Sequence, residues 1–376
     1  MRTEVAVNPK LITWAITRAG FDMEQFFDKN PDIQKWIEDS KRPTVKKLEA
    51  FANKVHIPFG YLFMPEPPKE SIPFPFFRTG STSTDKISLN VFDTIQILQR
   101  RQDWITDYLI ENEQEPLTFV GKYDVESTCE TIVEDLRKTL DLKNTWASDF
   151  QTFEETLNFI THKIEETGVF INFNGIVENN THRPINVDEC RGFVLVNQHA
   201  PFMFVNAADA KAAQLFTIIH ELAHIWLGES AGFDNQNLLP ANDPLEKLCD
   251  SIAAEFLVPA DSLISIWKEK PGIDFAKRFF KVSPIVIARR AMDLDLISRA
   301  EFFAFYNEYI QSFKHKKENQ GSGGDFYATT RKRVSVSFAT YVNQAVKQNK
   351  LLHRDAYKIT GLKGDTFQKF VTQHLH

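Results

Sequence analysis

The sequence predicts an α+β fold that is predominantly helical, and three observations support this class. Apolar residues recur at helical spacing over most of the 376 residues. One block, residues 168–206, is instead rich in Val and Phe and is broken by turn residues, which predicts a small β-sheet. A proline-rich segment near residue 65 separates a group of short helices from the rest of the chain. We therefore expect a helical N-terminal domain and a larger domain that contains the sheet.

The composition is typical of a globular protein, with 43% hydrophobic and 25% charged residues. The three cysteines are widely separated and form no CxxC pair, which suits a reducing compartment. The first residues lack the apolar stretch of a signal peptide, and no run approaches the roughly 18 apolar residues that span a bilayer. These features predict a cytoplasmic location and exclude a membrane partner.

Residues 1–64 predict a helix-turn-helix domain. Several short segments with helical spacing follow one another there, with a sharp break at Gly20 and a probable helix cap at Thr44. The predicted recognition helix is "PDIQKWIEDSKR", in which acids and bases alternate. The proline-rich connector is assigned to residues 65–89.

The remaining chain is divided by its periodicity and charge. A large domain is predicted for residues 90–313, with a helical scaffold at 90–167, a core at 168–260 and a helical end at 261–313. Within the core, a hairpin is expected around residues 197–201. A linker (314–324) and a basic C-terminal module (325–376) follow.

The chain is acidic in its body and basic at its end. The formal net charge is -6, but residues 314–376 contain 12 Lys/Arg and 4 Asp/Glu. Two interpretations stay open: the basic end meets an anionic partner, or it folds back on the acidic body. Residues 1–70 are almost balanced in charge, so they lack the excess of positive charge that binds DNA phosphates strongly. DNA binding by either end is possible, and no DNA-contacting residue is assigned.

The stretch "LFTIIHELAHIWLGE" carries the chemical signal. His220 and His224 are four apart on an apolar helix, so both imidazoles lie on one face and can bind one ion. Glu221 follows the first histidine, where its carboxylate can reach a metal-bound water as the general base. Two neutral imidazoles and a carboxylate suit one zinc ion per chain. The alternative is a histidine pair satisfied by local hydrogen bonds.

A third ligand is expected from "LEKLCDSIAAEF". Glu246 and Asp250 are four apart and share a helix face. We assign Glu246 to the metal and Asp250 to the N–H of a ligating histidine. Glu255 should point away from the site. Of the remaining histidines only His199, in the predicted hairpin, is placed near it.

These motifs resemble a known family. "GFVLVNQHAPFMFVNAADAKAAQLFTIIHELAHIWLG" and "EKLCDSIAAEFLVP" are similar to the ImmA/IrrE family of zinc metallo-endopeptidases. The N-terminal residues resemble the XRE-type helix-turn-helix domain that precedes the peptidase in many members. The resemblance implies a zincin-like HExxH peptidase core with His220, His224 and Glu246 as zinc ligands and Glu221 as the base.

The resemblance also implies a narrow biological role. Relatives cleave a helix-turn-helix repressor and thereby switch on stress or mobile-element genes, so a repressor-like protein substrate is expected. Others lie beside toxin-like nucleases and act as antitoxins, so a cognate toxin is the alternative partner. Under that alternative the chain is a DNA- or protein-binding regulator whose zinc domain is a sensor or scaffold.

Overall fold

The computed structural model describes residues 3–72, 74, 76–77, 87–233, 243–317 and 332–374. The described residues form two compact units. The N-terminal unit comprises residues 3–72 and 87–95, and the large unit comprises the other described residues. Helices dominate both units and the large unit contains a small mixed sheet, so the predicted class, α+β and predominantly helical, is confirmed.

The N-terminal unit is built from short helices. They are α1 (Pro9–Arg18), α2 (Met23–Lys29), α3 (Pro31–Ile37) and α4 (Val45–Lys54), followed by a 3₁₀ helix at Phe59–Phe63. The Thr44 side chain accepts the N–H of Lys47 and so caps α4, at the residue where the sequence predicts a cap. Apolar side chains of these helices pack into one core, which Leu89 joins.

The helix-turn-helix assignment for this unit stays a prediction. A single residue, Asn30, separates α2 from α3, the predicted recognition helix. The Asp32 carboxylate binds Lys41 at 2.9 Å and Lys47 at 2.8 Å. One acid therefore compensates two of the bases beside α3, while Lys35 and Lys46 remain exposed to solvent.

The large unit contains the remaining helices and all the strands. Its strands are β1 (Phe76–Phe77), β2 (Phe170–Asn174), β3 (Ile176–Val177), β4 (Asn180–Pro184), β5 (Gly192–Leu195), β6 (Phe202–Asn206) and β7 (Ala231–Phe233). Its helices are α5 (Leu89–Glu111, which begins in the N-terminal unit), α6 (Cys129–Thr139), α7 (Phe153–Glu166), α8 (Lys211–Leu227), α9 (Pro244–Leu257), α10 (Ala260–Glu269), α11 (Ile273–Phe280), α12 (Pro284–Asp293), α13 (Arg299–Lys317), α14 (Val336–Lys347), α15 (His353–Thr360) and α16 (Asp365–His374).

Five strands form one mixed sheet in the order β1-β7-β5-β6-β2. The hairpin expected around residues 197–201 joins β5 to β6, which pair antiparallel. β6 and β2 run parallel, and β7 pairs antiparallel with β5. The strands β3 and β4 form a separate small hairpin. The sheet therefore presents two faces, and its strands are buried on both.

The two faces of the sheet have different partners. Val194, Met203 and Val205 belong to the large core that also contains the apolar residues of α8. The alternate residues face the other side, because neighbouring side chains along a strand point in opposite directions. There Phe202 contacts Phe338 of α14 at a ring distance of 5.6 Å. The sheet thus lies between α8 and the C-terminal helices.

The C-terminal module folds back on the large unit. Its Phe338 packs edge-on against Phe170, Phe202 and Trp104. The buried guanidinium of Arg101 on α5 donates hydrogen bonds to the carbonyls of the last residues of α15. Residues 332–374 therefore fold back on the large unit, while binding of an anionic partner by the basic end stays a prediction. The contact is mainly aromatic, and most of the cations of residues 332–374 have no acidic partner among the described residues.

Two segments differ from the sequence interpretation. Residues 231–233 lie outside the block predicted to form the sheet, residues 168–206, but they form β7, because they pair with β5, a partner that a local pattern does not reveal. Residues 314–317 were expected in the linker but continue α13, since the first helix-breaking glycine comes only at residue 321. The rest of the linker and residues 325–331 of the module lie outside the described residues. Among the described helices, none combines the length and apolarity needed to cross a membrane.

Candidate metal centre

The helix α8 places two histidines and one acid inside the core. Nearly all of its residues from Leu215 to Leu227 are buried, as its apolar sequence predicts. His220, Glu221 and His224 are each 0% exposed. Burying three such groups is costly unless each finds a partner, so their surroundings decide what the site can do.

The helix α9 brings the partners to α8. The Asp243 side chain caps α9 by accepting the N–H of Leu245, and Pro244 occupies the first helical position. This start places Glu246 in the first turn and Asp250 one turn later on the same face. The two helices pack together, so both carboxylates meet the histidine face of α8.

Three potential ligand atoms converge in this site. The two histidine Nε2 atoms are 3.2 Å apart. The Glu246 carboxylate lies 3.1 Å from Nε2 of His220 and 3.2 Å from Nε2 of His224. Among the described residues, this is the cluster of three or more His, Cys, Asp or Glu side chains that could hold a metal ion.

The spacing of these atoms fits a zinc ion. Ligand atoms about 2.0–2.1 Å from a tetrahedral zinc are separated from one another by about 3.3 Å, close to the three distances in the cluster. The donors, two imidazoles and one carboxylate, are those of catalytic zinc sites that keep one position open. The Oε1 atom of Glu246, which lies 3.2 Å from Nε2 of His224, is fully buried, as expected of a ligand atom.

Asp250 lies behind the cluster. Its Oδ1 is 3.1 Å from Nδ1 of His220, the ring nitrogen on the far side from Glu246. A carboxylate at this position fixes the tautomer in which Nε2 is free to bind a metal. His224 lacks this support, because its Nδ1 is buried and has no hydrogen-bond partner among the described residues. The side chain of Asp250 is 23% exposed, so the cluster borders solvent on this side.

Glu221 contributes a carboxylate without a partner. Both of its oxygens are buried and neither has a hydrogen bond within the described part of the chain. Burial raises the pKa of this carboxyl well above its usual range. It lies close enough to His220 and Glu246 for their charges to affect that pKa. A buried acid with free oxygens beside a potential metal site is suited to proton transfer.

The charges of the cluster are strongly coupled. Burial lowers the pKa of His220, but hydrogen bonds to the carboxylates of Asp250 and Glu246 outweigh burial and raise it to about 10. Burial and the neighbouring imidazolium lower the pKa of His224, with Glu246 opposing them. Without a metal, the cluster therefore holds a proton on His220, and a bound cation replaces it.

Gly192 on β5 completes the surroundings of Glu221 and was not singled out from the sequence. A Cβ atom at this position would lie 2.5 Å from Cγ2 of Thr217 and 3.1 Å from Oε1 of Glu221. Only glycine allows the strand to pass so close to α8. The sequence signal was the glycine at the start of the Val/Phe-rich strand.

The other predicted positions lie elsewhere. Glu255 pairs with Arg290 and is directed away from the cluster, as the helical spacing indicates. Cys249 is buried in the apolar core rather than in the ligand set. His199 is half-buried in the hairpin and is not a member of the cluster. The structure thus brings together His220, His224, Glu246 and Asp250, with Glu221 adjacent.

Residues 164–292 match the family model of the IrrE N-terminal-like domain, a peptidase M78 domain. The match spans β2 to α12 and includes every residue of the cluster, and it indicates a metallopeptidase-type function. It supports the resemblance to the ImmA/IrrE family over these residues. A second model, a domain of unknown function (DUF8813), matches residues 334–373. No curated protein matches the chain.

Proposed function

We propose that the protein is a zinc-dependent endopeptidase that cuts one specific protein partner. The observation that carries this proposal is the convergence of His220, His224 and Glu246 beside the free carboxylate of Glu221. A site that only stored a metal would not need an unpartnered acid in its wall, because burying such a group destabilises the fold. The peptidase M78 match over the same residues supports the same activity.

The residues of the site have distinct roles in this reaction. His220, His224 and Glu246 would hold the zinc ion, and Asp250 would orient His220. A bound zinc ion supplies Lewis acidity, which activates water and polarises a peptide carbonyl. Glu221 takes the proton of the attacking water and passes it to the amine that leaves when the peptide bond breaks. Its free oxygens suit both transfers.

The substrate proposed for this site is a helix-turn-helix repressor, cleaved to switch on stress or mobile-element genes. The proposed ligands are almost entirely buried, whereas Asp250 beside them borders solvent. Such a site favours limited cleavage of a partner that docks in a defined way over digestion of unfolded chains. The resemblance to the ImmA/IrrE family supports a repressor as that partner.

The alternative is a DNA- or protein-binding regulator, such as an antitoxin, in which the zinc domain is a sensor or scaffold. The exposed cations of the C-terminal module favour a binding function, but they do not explain Glu221. The two proposals therefore differ in whether this acid is needed for the biological effect.

One pair of variants tests the enzyme proposal. Elemental analysis of the purified protein should find about one zinc per chain. Glu221→Gln should keep the zinc but cut a helix-turn-helix repressor substrate at least about 100-fold more slowly. Glu229→Gln, at an exposed position just after α8, is the matched control and should cut normally. Normal cleavage by Glu221→Gln, or protein without bound metal, contradicts the proposal.

A further inference from the structure

The last two helices of the chain form a helix-turn-helix. α15 ends at Thr360 and α16 begins at Asp365, so four residues join them, and two of the four are glycines. Gly361 has φ +72° and Gly364 has φ +46°, which are left-handed conformations that end α15 sharply. A turn of this length that contains glycine is typical of DNA-binding helix-turn-helix motifs.

The two helices pack as one unit with α14. Ala356 on α15 and Leu362 in the turn are at most 1% exposed. Phe367 and Phe370 on α16 are buried to the same degree. Both helices contact α14, and Tyr357 of α15 meets Phe367 of α16 at a ring distance of 5.5 Å. The apolar side of α16 is thus fixed, and its opposite side is left free.

The free side of α16 is polar and continuous. Its exposed residues are Asp365, Gln368, Lys369, Thr372 and Gln373. They are spaced by three, four, seven and eight residues, so they form one face of the helix. Glutamine pairs with adenine and lysine pairs with guanine or phosphate at the edges of the major groove. The face therefore carries the side-chain chemistry that reads duplex DNA.

The charge of the module favours an anionic partner. Residues 332–374 contain eight Lys/Arg against two Asp and no Glu. Lys358, Lys363 and Lys369 are exposed, and none of them forms an ion pair with the described residues. The module docks on the large unit through aromatic contacts, so these cations remain available for phosphate groups.

A second helix pair in the large unit differs from α15 and α16 in how its cations are paired. A three-residue turn joins α11 to α12. The second helix of that pair has no free cationic face, because Arg289 binds Asp293 and Arg290 binds Glu255. Its Ile285 and Ile287 are buried. Lys358 of α15 and Lys369 of α16 therefore differ from the arginines of α12, because neither forms an ion pair with the described residues.

The turn is held firmly to the large unit. Arg101 donates hydrogen bonds to the carbonyls of Ile359 at 2.8 Å and Thr360 at 3.3 Å. The side chain of Asn179 donates to the carbonyl of Gly361 at 3.1 Å. A fixed turn orients α16 before DNA arrives, which lowers the entropy cost of binding.

We propose that α15 and α16 are a DNA-binding helix-turn-helix, with α16 in the major groove of double-stranded DNA. Lys358 and Lys363 contact phosphates, and Gln368 and Lys369 reach the base edges. This inference gives a function to the C-terminal module and does not depend on the peptidase activity.

Binding of the full chain to duplex DNA tests the proposal. The probe is a labelled 30-base-pair duplex of mixed sequence, followed by fluorescence anisotropy between roughly 50 and 200 mM salt. The double variant Lys358→Ala/Lys363→Ala should bind at least about tenfold more weakly, and the slope of log affinity against log salt should fall by about 2. Lys138→Ala/Lys268→Ala removes two exposed cations outside the module and should bind as the parent does.

Three outcomes overturn the proposal. The first is no binding at the lowest salt, and the second is equal loss in the control variant. The third is a preference for RNA of the same sequence. A loss confined to Lys35→Ala/Lys46→Ala, which removes one exposed lysine of α3 and one of α4, would assign DNA binding to the N-terminal unit instead. Circular dichroism and metal content must match the parent in every variant.

Selection of bound sequences from a random duplex pool gives a second readout. The full chain should enrich a short motif, and Gln368→Ala should relax the preference at one base pair while leaving the salt slope unchanged. An exposed glutamine outside the module and outside α3, such as Gln151→Ala, should leave the enriched motif unaltered. If no motif is enriched, or if Gln151→Ala alters it, α16 does not read sequence.

Discussion

The carboxylate of Glu221 lies directly against the backbone of Gly192. A Cβ atom on Gly192 would come within 3.1 Å of Oε1 of Glu221 and within 2.9 Å of the carbonyl oxygen of Phe204. The strand β5 therefore forms one wall beside the acid. This contact connects the sheet to the proposed chemistry, since the position of Glu221 depends on a residue 29 positions earlier in the chain.

Gly192→Ala should damage the proposed base more than the metal site. The new methyl group meets Thr217 and the β6 backbone, neither of which is a flexible side-chain end, so overpacking should lower the free energy of unfolding by about 1–3 kcal/mol. The displaced carboxylate should lower kcat while zinc stays bound. Cleavage rate and metal content, measured on the same preparation, check this.

Gly60→Ala is the control for that substitution. A Cβ atom at residue 60 meets nothing within 4 Å, so this variant should keep parental stability and activity. If Gly192→Ala loses zinc in proportion to activity, the strand supports the whole cluster and not Glu221 in particular.

Glu221 should destabilise the metal-free protein at alkaline pH. Burial raises the pKa of its carboxyl in the folded state well above its ordinary value of 4.5. Folding therefore favours the protonated form, and stability is lost as the pH rises above about 4.5. Glu221→Gln removes this loss and should be more stable than the parent at pH 8, by about 1–3 kcal/mol for a buried unpaired group. The difference should vanish near pH 4.5.

Urea unfolding of chelator-treated protein at several pH values measures this effect. The exposed control Glu229→Gln should follow the parent at every pH. A Glu221→Gln variant no more stable than the parent at pH 8 would mean that the carboxylate has a compensating partner in solution.

Asp250→Asn should weaken metal binding without removing a ligand. The carboxylate lies 3.1 Å from Nδ1 of His220 and holds the ring in the tautomer that binds through Nε2. Loss of the charge should reduce zinc affinity about 10- to 100-fold. Competition with a chromogenic chelator measures the change. Asp261→Asn, an exposed acid in the first turn of α10, is the control, and an equal loss there would refute the assignment.

The ligand set could be predicted from sequence because it depends on local spacing. His220 and His224 share a helix face by their spacing alone, and so do Glu246 and Asp250. The apolar helix around the histidines indicated burial, and the structure buries them completely. One step was not local. That α8 and α9 lie side by side was inferred from the need for a third metal ligand.

The features that the sequence did not reveal all depend on distant pairings. β7 is three residues long, too short for an alternating pattern, and it exists because it pairs with β5. The contact of Gly192 with Glu221 needs the strand and helix to be packed first. The docking of the C-terminal module likewise depends on Phe338 and on a single buried arginine, neither of which differs in sequence from an ordinary core or surface residue.

That arginine, Arg101, gives the last prediction. Arg101 is 5% exposed. Its guanidinium donates hydrogen bonds to the side chain of Asn172 and to three backbone carbonyls, those of Ile359, Thr360 and Arg333. Burial lowers its pKa to about 10, so it remains charged at neutral pH. Arg101→Met fills similar volume but leaves these acceptors unpaired, and should lower the free energy of unfolding by about 3 kcal/mol or more.

Hydrogen exchange locates the effect of this substitution. Amides of α15 and of the 361–364 turn should lose protection first, because two of the four hydrogen bonds from Arg101 are accepted by the last residues of α15. Amides of α8 should lose protection later. Arg100→Met is the matched control, since the preceding arginine is exposed and should tolerate the change. Equal exchange in both variants would show that Phe338 and its aromatic neighbours hold the module without Arg101.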